Sequence, residues 1–205
     1  MKVKWIFFDV GSTLVDETAA YDHRAREMIQ GTEITFCEFD SKRKELAAMG
    51  YDGNSEAIKF FGLKKTPWHS EDEVLFSDAA ETLKQLKKRG YHLGIIANQP
   101  LGTEKRLDER GVLQFFDVVA ASAELGVAKP NAEIFQRALE MAGCLSSNAV
   151  MVGDRLDNDM IPAKSIGMNT VWIRKGTAAY QDRACGKNAA DWIIDTLGDL
   201  LDVFQ

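Results

Sequence analysis

Cysteine is scarce in this chain, and its placement excludes several kinds of protein. There are only three cysteines, Cys37, Cys144 and Cys185, which lie far apart and form no CxxC pair. An odd number of widely spaced cysteines does not fit a disulfide framework, and cysteine zinc sites need closely spaced thiols. We therefore expect a reducing compartment and no zinc site on these cysteines.

Long apolar runs are absent as well. The apolar stretch near the beginning of the sequence, Trp5–Val10, is interrupted by Asp9 and is too short for a signal peptide. No other stretch approaches the length that crosses a bilayer. These two absences predict a cytoplasmic protein that has no membrane as a partner.

The chain also lacks an excess of positive charge. Its 25 Lys and Arg residues are outnumbered by 31 Asp and Glu residues, so the formal net charge is −6. Few cations are left to neutralise phosphates, which argues against nucleic acid as a partner. Apolar residues make up 45% and charged residues 27% of 205 residues, as expected for one globular core with room for a small insert.

Short apolar runs alternate with helical patterns over most of the chain. Five runs read as strands buried on both faces of a sheet: Val3–Phe8, Tyr91–Ala97, Asp117–Ala121, Ala149–Val152 and Asn169–Ile173. Four segments between them read as helices: Ala79–Arg89, Thr103–Arg110, Glu133–Ala142 and Asn158–Ile166. This alternation predicts a three-layer α/β/α sandwich with a mostly parallel, doubly wound, Rossmann-like sheet.

Residues 17–76 break the alternation. They show no convincing strand, and the segments Ala19–Gln30 and Asp40–Met49 are polar and compatible with helices. A small helical cap inserted after the first strand explains this stretch. The predicted core then comprises residues 1–16 and 77–205, and the predicted cap comprises residues 17–76.

Polar residues follow the strands where each of them ends. Because ligands bind beyond the carboxyl ends of strands in open α/β sheets, these residues are candidates for one site. They are Asp9, Ser12 and Thr13 after the first strand, Asn98 after the second, Lys129 after the third, and Asp154, Asp157 and Asp159 after the fourth.

This set of side chains favours phosphoryl chemistry. Clustered carboxylates repel one another unless a cation lies among them, and oxygen ligands favour Mg²⁺. A nearby lysine offsets a carboxylate or binds an anion, and turn amides add hydrogen-bond donors. A carboxylate aimed at a bound phosphoryl group can act as a covalent nucleophile.

The order of these residues resembles the four motifs of the haloacid dehalogenase superfamily. They are DxxxT from Asp9 to Thr13, a strand that ends near Asn98, the pair Lys129–Pro130, and GDxxxxD from Gly153 to Asp159. The resemblance covers nearly the whole core, and the insert lies where such proteins carry a helical cap. It implies a magnesium-dependent hydrolase, most often a phosphatase that acts on a small phosphorylated metabolite.

The resemblance also implies a role for each matching residue. Asp9 would be the nucleophile that forms an aspartyl-phosphate, and Thr13 would support the loop after it. The Asp9 carboxylate, the Gly11 carbonyl and the Asp154 carboxylate would bind Mg²⁺, with Asp159 as a further ligand, direct or through water. Lys129 would hold Asp9 and the phosphoryl oxygens, and Ser12 and Asn98 would bind the substrate beside it.

Two positions depart from the family pattern. Family phosphatases generally have a second aspartate two residues after the nucleophile as general acid and base, and here that position is Gly11. The second motif usually supplies a hydroxyl, and here the strand ends in Ala97 and Asn98. We expect slow hydrolysis of alkyl phosphates unless another acid, sought first at Glu17 or His23, replaces the missing one.

Three other interpretations stay open at this point. A phosphonate hydrolase would use a cap lysine as a Schiff base, and the insert offers Lys42, Lys44, Lys59, Lys64 and Lys65. A C–halogen hydrolase would need no metal, although GDRLDND argues for one. The third is a phosphoryl-ligand binding protein with vestigial activity. The sequence leaves the substrate open, and a monomer or a homodimer is compatible with it.

Overall fold

The computed structural model of the protein describes residues 3–205 and contains a six-stranded parallel sheet and a two-stranded antiparallel pair. The strands are β1 (Trp5–Phe8), β2 (Val15–Asp16), β3 (Val74–Leu75), β4 (His92–Ala97), β5 (Val118–Ala121), β6 (Ala149–Gly153), β7 (Asn169–Ile173) and β8 (Trp192–Ile194). The order in the large sheet is β5-β4-β1-β6-β7-β8, and β2 pairs with β3. Residues 1 and 2 of the predicted core segment lie outside the described residues.

Ten α-helices occur in the described part of the chain. They are α1 (Thr18–Met28), α2 (Phe36–Ala48), α3 (Gly53–Phe60), α4 (Ala79–Lys88), α5 (Thr103–Glu109), α6 (Ser122–Leu125), α7 (Ala132–Met141), α8 (Ile161–Ser165), α9 (Arg183–Gly186) and α10 (Leu200–Val203). Within residues 3–205, none of them has both the length and the apolar character needed to cross a bilayer.

The alternation of side chains along β1 produces the layers. Ile6 and Phe8 belong to one buried cluster, with Leu83 of α4, whereas Phe7 belongs to a second cluster, with Phe135 of α7. Successive residues of a strand point to opposite faces, so the sheet is covered by helices on both sides. The predicted α/β/α fold with a parallel sheet is confirmed.

Residues between β2 and β3 form a helical unit with an apolar cluster of its own. The buried members come from all three helices: Ala25, Met28, Phe39, Ala57 and Ile58. Helix α2 begins with a capping box in which Thr35 accepts from the Glu38 amide and Glu38 accepts from the Thr35 amide. The division into core and cap at residues 17 and 76 stays a prediction.

Two expectations about local structure were wrong. The stretch 17–76 does contain a strand, β3, but two residues are too few to show a period of two in the sequence. The helix expected at Asn158–Ile166 begins instead as a π-helical turn, Leu156–Met160, because the amides of Asp159 and Met160 both donate to the carbonyl of Arg155. That turn directs Asp159 inward.

Candidate active site

Three carboxylates lie together at the carboxyl edge of the sheet. Asp9 follows β1 and Asp154 follows β6, and these strands are hydrogen-bonded neighbours. The inward turn after β6 adds Asp159, and one carboxylate oxygen of each residue lies within 4.8 Å of the others. The topology thus unites residues that are up to 150 positions apart in the chain.

A buried lysine joins two of these carboxylates. The Lys129 Nζ lies 2.8 Å from Asp9 Oδ1 and 2.6 Å from Asp159 Oδ1, and its side chain is fully buried. Burial alone would lower the pKa of Lys129, but the charges of Asp159 and Asp9 outweigh it and raise that pKa. Lys129 is therefore a fixed cation beside Asp9.

Asp159 and Asp154 differ in their partners. Asp159 Oδ1 accepts from Lys129, and Oδ2 accepts from the Arg155 amide at 3.0 Å, so both oxygens are engaged. A β-carbon on Gly153 would lie 2.4 Å from Asp159 Oδ2, which explains the glycine there. The Asp154 carboxylate has no hydrogen-bond donor among the described residues and borders a cavity.

The electrostatics of Asp154 show why a cation fits. Burial raises its pKa well above the usual range, and the neighbouring Asp159 and Asp9 raise it further. Three carboxylates face one lysine here, and all the donor atoms are oxygens, which is the set that a hard divalent cation such as Mg²⁺ takes. The residues present therefore fit Mg²⁺.

Asn98 and Lys129 are held together across two loops. The Asn98 Nδ2 donates to the Lys129 carbonyl at 2.9 Å, and the Lys129 amide donates to Asn98 Oδ1 at 2.8 Å. Asn98 also borders the cavity. The structure thus gives the side chain a positioning contact in addition to the substrate contact predicted for it.

The hydroxyls after β1 face different surroundings. Ser12, with a φ of 53°, borders the cavity and donates to Glu17 Oε2 at 3.2 Å. Thr13 is fully buried, and its hydroxyl has no partner within residues 3–205. It does not border the cavity, so its predicted role in supporting the loop is separate from substrate contact.

The Glu17 carboxyl group lies where a side chain at position 11 would begin. A β-carbon on Gly11 would lie 2.6 Å from Glu17 Oε1 and 2.7 Å from Oε2. Gly11 does not have a positive φ, so the close carboxylate, rather than the backbone conformation, accounts for the glycine. Burial, followed by the charges of Asp9 and Glu73, raises the pKa of Glu17 to about 8.

Asp9 and Asp154 border a cavity of about 230 Å³ between the sheet edge and the insert. Side chains of the insert form part of its wall: Glu17, Tyr21, Asp52 and Asn54. Arg155 closes one side, with its guanidinium 2.7 Å from Asp52 Oδ2 and 2.6 Å from Asp157 Oδ2. Asp157 is therefore an exposed partner of Arg155, and no lysine lies among the described residues that line this cavity.

A second cavity adjoins the first along Glu17, Tyr21, Asn98 and Gln99. Its volume is about 360 Å³, and Arg24, Trp68 and Arg106 contribute to its far wall. The Arg24 Nε is buried without a hydrogen-bond partner in the described part of the chain.

Sequence reasoning did not place several of these residues at the site. Tyr21 and Arg24 belong to the polar segment Ala19–Gln30, where the sequence does not separate a substrate contact from a solvated helix face, and Asp52 and Asn54 carry no signal. Glu17 was identified only as a fallback acid. The glycine at position 11 was the one available signal, because a residue without a side chain leaves room for a group from elsewhere.

A parallel α/β sheet with an acidic site at its carboxyl edge is the architecture of a Rossmann-like hydrolase. The chain belongs to the haloacid dehalogenase-like hydrolase family, whose sequence profile matches residues 6–173.

Individual relatives differ in the substrate that they are named for. The chain is 30% identical to a glyceraldehyde 3-phosphate phosphatase of Pyrococcus furiosus, over 100% of this chain and 94% of that protein. It is 32% identical to the pyrophosphatase PpaX of Bacillus mycoides, over 100% and 98% of the two chains. A crystal structure of a phosphatase of this superfamily from Thermococcus onnurineus superposes with a TM-score of 0.67 at 29% identity, covering 98% and 97% of the two chains.

Proposed function

We propose that the protein is a magnesium-dependent phosphatase that hydrolyses a small phosphorylated metabolite through an aspartyl-phosphate on Asp9. One observation carries the proposal. Lys129 pairs with both Asp9 and Asp159, while the Asp154 carboxylate borders the same cavity as Asp9 and has no donor of its own among residues 3–205. This is an arrangement for holding a phosphoryl group with a cation on one side and a nucleophile on the other.

The metal site in this proposal consists of Asp9, the Gly11 carbonyl and Asp154, with Asp159 as a further carboxylate. When bound, Mg²⁺ would offset negative charge on the carboxylates and on the phosphoryl oxygens. Asp159 acts mainly by orienting Lys129, because both of its oxygens already accept hydrogen bonds.

The covalent step belongs to Asp9. One carboxylate oxygen attacks phosphorus, the bond from phosphorus to the leaving-group oxygen breaks, and an acyl phosphate forms on Asp9. Water then attacks that phosphorus, which releases inorganic phosphate and restores the carboxylate. Lys129 offsets charge on Asp9 and on the transferred group, and Ser12 and Asn98 contribute polar contacts beside it.

The leaving group needs a proton, and we assign that proton to Glu17. Its carboxyl group lies within 2.6–2.8 Å of the place that the β-carbon of an aspartate at position 11 would take. It borders the same cavity as Asp9 and is oriented by the Ser12 hydroxyl. After transfer, the Glu17 carboxylate is the base that accepts a proton from the attacking water.

The leaving group extends into the second cavity in this proposal. Glu17 lies on the wall shared by the two cavities, so a leaving group there meets its proton donor. Arg24 and Arg106 on the far wall favour a leaving group with a polar or anionic end. A short phosphorylated carbohydrate, such as the glyceraldehyde 3-phosphate for which one relative is named, has this character.

The compartment and the assembly state complete the proposal. A cytoplasmic location is supported by the three thiols, which are unpaired. We propose a monomer or a homodimer that has neither nucleic acid nor a membrane as a partner.

The two rival chemistries fit the cavity less well. A phosphonate hydrolase needs an insert lysine at the site, whereas none of the five insert lysines lines the cavity, and Lys42, Lys44 and Lys59 pair with carboxylates of their own helices. Metal-free dehalogenation does not account for the three carboxylates that converge beside a single lysine.

Phosphate release from a panel of phosphorylated metabolites tests the function. Turnover should require Mg²⁺, and Asp9→Asn should abolish it while the circular dichroism spectrum stays unchanged. A protein that binds phosphorylated ligands without turning any of them over would instead be a binding protein with vestigial activity. Turnover by pure Asp9→Asn protein would contradict the covalent mechanism.

A further inference from the structure

A second group of potential metal ligands lies in the insert, away from the carboxylates at the sheet edge. His23 and Glu27 are four residues apart on α1 and share one face of the helix, and His69 approaches them from the segment that leads back to β3. One ligand atom of each lies within 4.8 Å of the others. Two of the three histidines in the chain thus meet at one carboxylate.

Each histidine directs one ring nitrogen at Glu27 and pairs the other nitrogen with a second carboxylate, as in many metal sites. Both Nε2 atoms face Glu27, at 2.9 Å from Oε2 for His69 and 3.9 Å from Oε1 for His23. The His23 Nδ1 lies 2.8 Å from Asp72 Oδ2, and the His69 Nδ1 lies 3.1 Å from Glu71 Oε1. Histidines that bind a metal commonly donate their second nitrogen to a carboxylate, which fixes the ring and its tautomer.

We propose that His23, Glu27 and His69 form a binding site for a divalent transition-metal ion of the Zn²⁺ class. Two imidazoles and one carboxylate are ligands that Zn²⁺ accepts, and they leave a fourth position for water. The ligand types separate this site from the oxygen-only cluster at the sheet edge, which suits Mg²⁺.

Charge and access agree with this assignment. Three carboxylates, Glu27, Glu71 and Asp72, surround the two rings and favour a cation. The His23 side chain is 47% exposed and that of Glu27 is 33% exposed, so an ion can reach the site from solvent.

Binding requires a small rearrangement of the rings. The centroids of the two rings lie 3.7 Å apart, and their planes differ by 11°. Ligands of a tetrahedral ion lie about 3.4 Å from one another, given metal–ligand bonds of about 2.1 Å, so the rings must fan apart to direct both nitrogens at one ion. Such an ion would tie α1 to the segment that returns to the core, and would thereby restrain the insert.

Calorimetric titration of the metal-stripped protein with Zn²⁺ tests the proposal, with millimolar Mg²⁺ present to occupy the oxygen-only site. We expect one site in the wild type and at least a tenfold loss of affinity in His69→Gln and in Glu27→Gln. The control is His92→Gln, which alters the third histidine, paired with Asp117 on the core, and should bind like the wild type. Asp72→Asn should weaken binding by about 10–100-fold, because it removes only the carboxylate behind His23.

Spectroscopy keeps the test decisive if one variant folds poorly. Co²⁺ in the wild type should give the visible absorption of a tetrahedral ion with nitrogen and oxygen ligands, and Glu27→Gln, which is nearly isosteric, should lose it. Equal Zn²⁺ affinity in the wild type and His69→Gln would overturn the site, since the cysteines or aspartates would then be the ligands. Failure of the wild type to bind would leave the cluster as an ion-pair network only and would equally overturn it.

Discussion

The side chain of Asn98 forms two hydrogen bonds with the backbone of Lys129, one to its carbonyl at 2.9 Å and one from its amide at 2.8 Å. The residues are 31 positions apart, and the pair fixes the loop that delivers the Lys129 ammonium to Asp9. The side-chain amide of Asn98, just after β4, can donate and accept at once, which matches the carbonyl and the amide of the Lys129 backbone. The usual hydroxyl of the second motif is missing at Ala97, and the next residue, Asn98, holds the backbone of the lysine instead.

Asn98→Ala should therefore affect both stability and catalysis. Loss of two hydrogen bonds should lower the free energy of unfolding by about 1–3 kcal/mol, and displacement of Lys129 should lower kcat more than it changes KM. Urea unfolding and steady-state kinetics measure the two effects. The matched control is Asn169→Ala, which also removes two side-chain hydrogen bonds to the backbone, those to the Ser147 and Ala149 carbonyls, but borders neither cavity. Equal kinetic effects in both variants would argue against a positioning role.

Magnesium should stabilise the fold through Asp154. At a hundredfold excess over Kd, a bound ion adds about 2.7 kcal/mol to the free energy of unfolding, so the wild type should melt several degrees higher with Mg²⁺ than with EDTA. Asp154→Asn should lose this shift. Asp157→Asn, which removes a carboxylate from the same loop that pairs only with Arg155, should keep it. A shift that survives in Asp154→Asn would place the ion elsewhere.

Arg24 should contribute to recognition of the leaving group. If its guanidinium binds an anionic end of the substrate, Arg24→Ala should raise KM for such substrates by an amount equivalent to about 1.5–3 kcal/mol and leave aryl phosphates almost unchanged. Arg26→Ala is the matched control on the same helix, because the Arg26 guanidinium packs on the Phe36 ring at 3.8 Å and borders neither cavity. An equal change of KM for both substrate types would count against this role.

Asp191 should make stability depend on pH in the acidic range. Burial alone would raise its pKa, but hydrogen bonds from Lys164 and from the amide and hydroxyl of Thr170 lower it below the usual 3.8. A carboxyl group with a lowered folded-state pKa stabilises the fold above its unfolded pKa, and this contribution is lost as the pH falls through the folded value.

Asp191→Asn should accordingly unfold more easily than the wild type at neutral pH, and the difference should narrow as the pH falls below the usual carboxyl pKa of 3.8. Urea unfolding of both proteins across this range measures it. A difference that stays constant with pH would show that the carboxylate charge is not involved.

The positions of five strands along the chain and the residues beyond their ends could be predicted because both are local in the sequence. The apolar run of β1 is nearly continuous since both of its faces are buried, and Asp9 follows it directly. Asp154 follows β6 in the same way, and Lys129 lies in the loop beyond β5 and α6, so the rule that sites form at carboxyl ends brought them together. The edge strand β8 was missed because it has only three residues, of which one is buried.

The contacts that the sequence did not reveal depend on distances across the fold. His23 and His69 are 46 positions apart, and their meeting depends on how the segment after α3 returns across α1. Glu17 is close to Gly11 in the sequence, yet only the backbone between them decides that its carboxyl group turns back over the glycine. The arrangement of such turns is set by packing rather than by local residue preference.

Glu17→Gln tests the assigned proton donor. The amide keeps the shape of the side chain but cannot transfer a proton, so kcat/KM for alkyl phosphates should fall by roughly 10²–10⁴. Aryl phosphates, whose leaving groups depart as stable anions, should lose much less. Asp16→Asn changes the neighbouring carboxylate, which accepts from the Thr18 amide, and should preserve both rates. Equal losses for alkyl and aryl phosphates would indicate a structural role for Glu17.

Moving the carboxyl group back to position 11 completes this test. Gly11→Asp alone should damage activity, because the new β-carbon would lie within 2.6–2.8 Å of the Glu17 carboxyl group, closer than any normal contact, and two carboxylates would share one space. Glu17→Ala alone should lose alkyl phosphate hydrolysis.

The double variant, Gly11→Asp with Glu17→Ala, removes the clash and supplies a carboxyl group from position 11 instead of position 17. The φ of Gly11 permits a side chain there. We expect the double variant to hydrolyse alkyl phosphates faster than either single variant, with all three folds checked by circular dichroism. Strictly additive losses would mean that positions 11 and 17 do not share one function, and Glu17 would then have to be withdrawn as the acid.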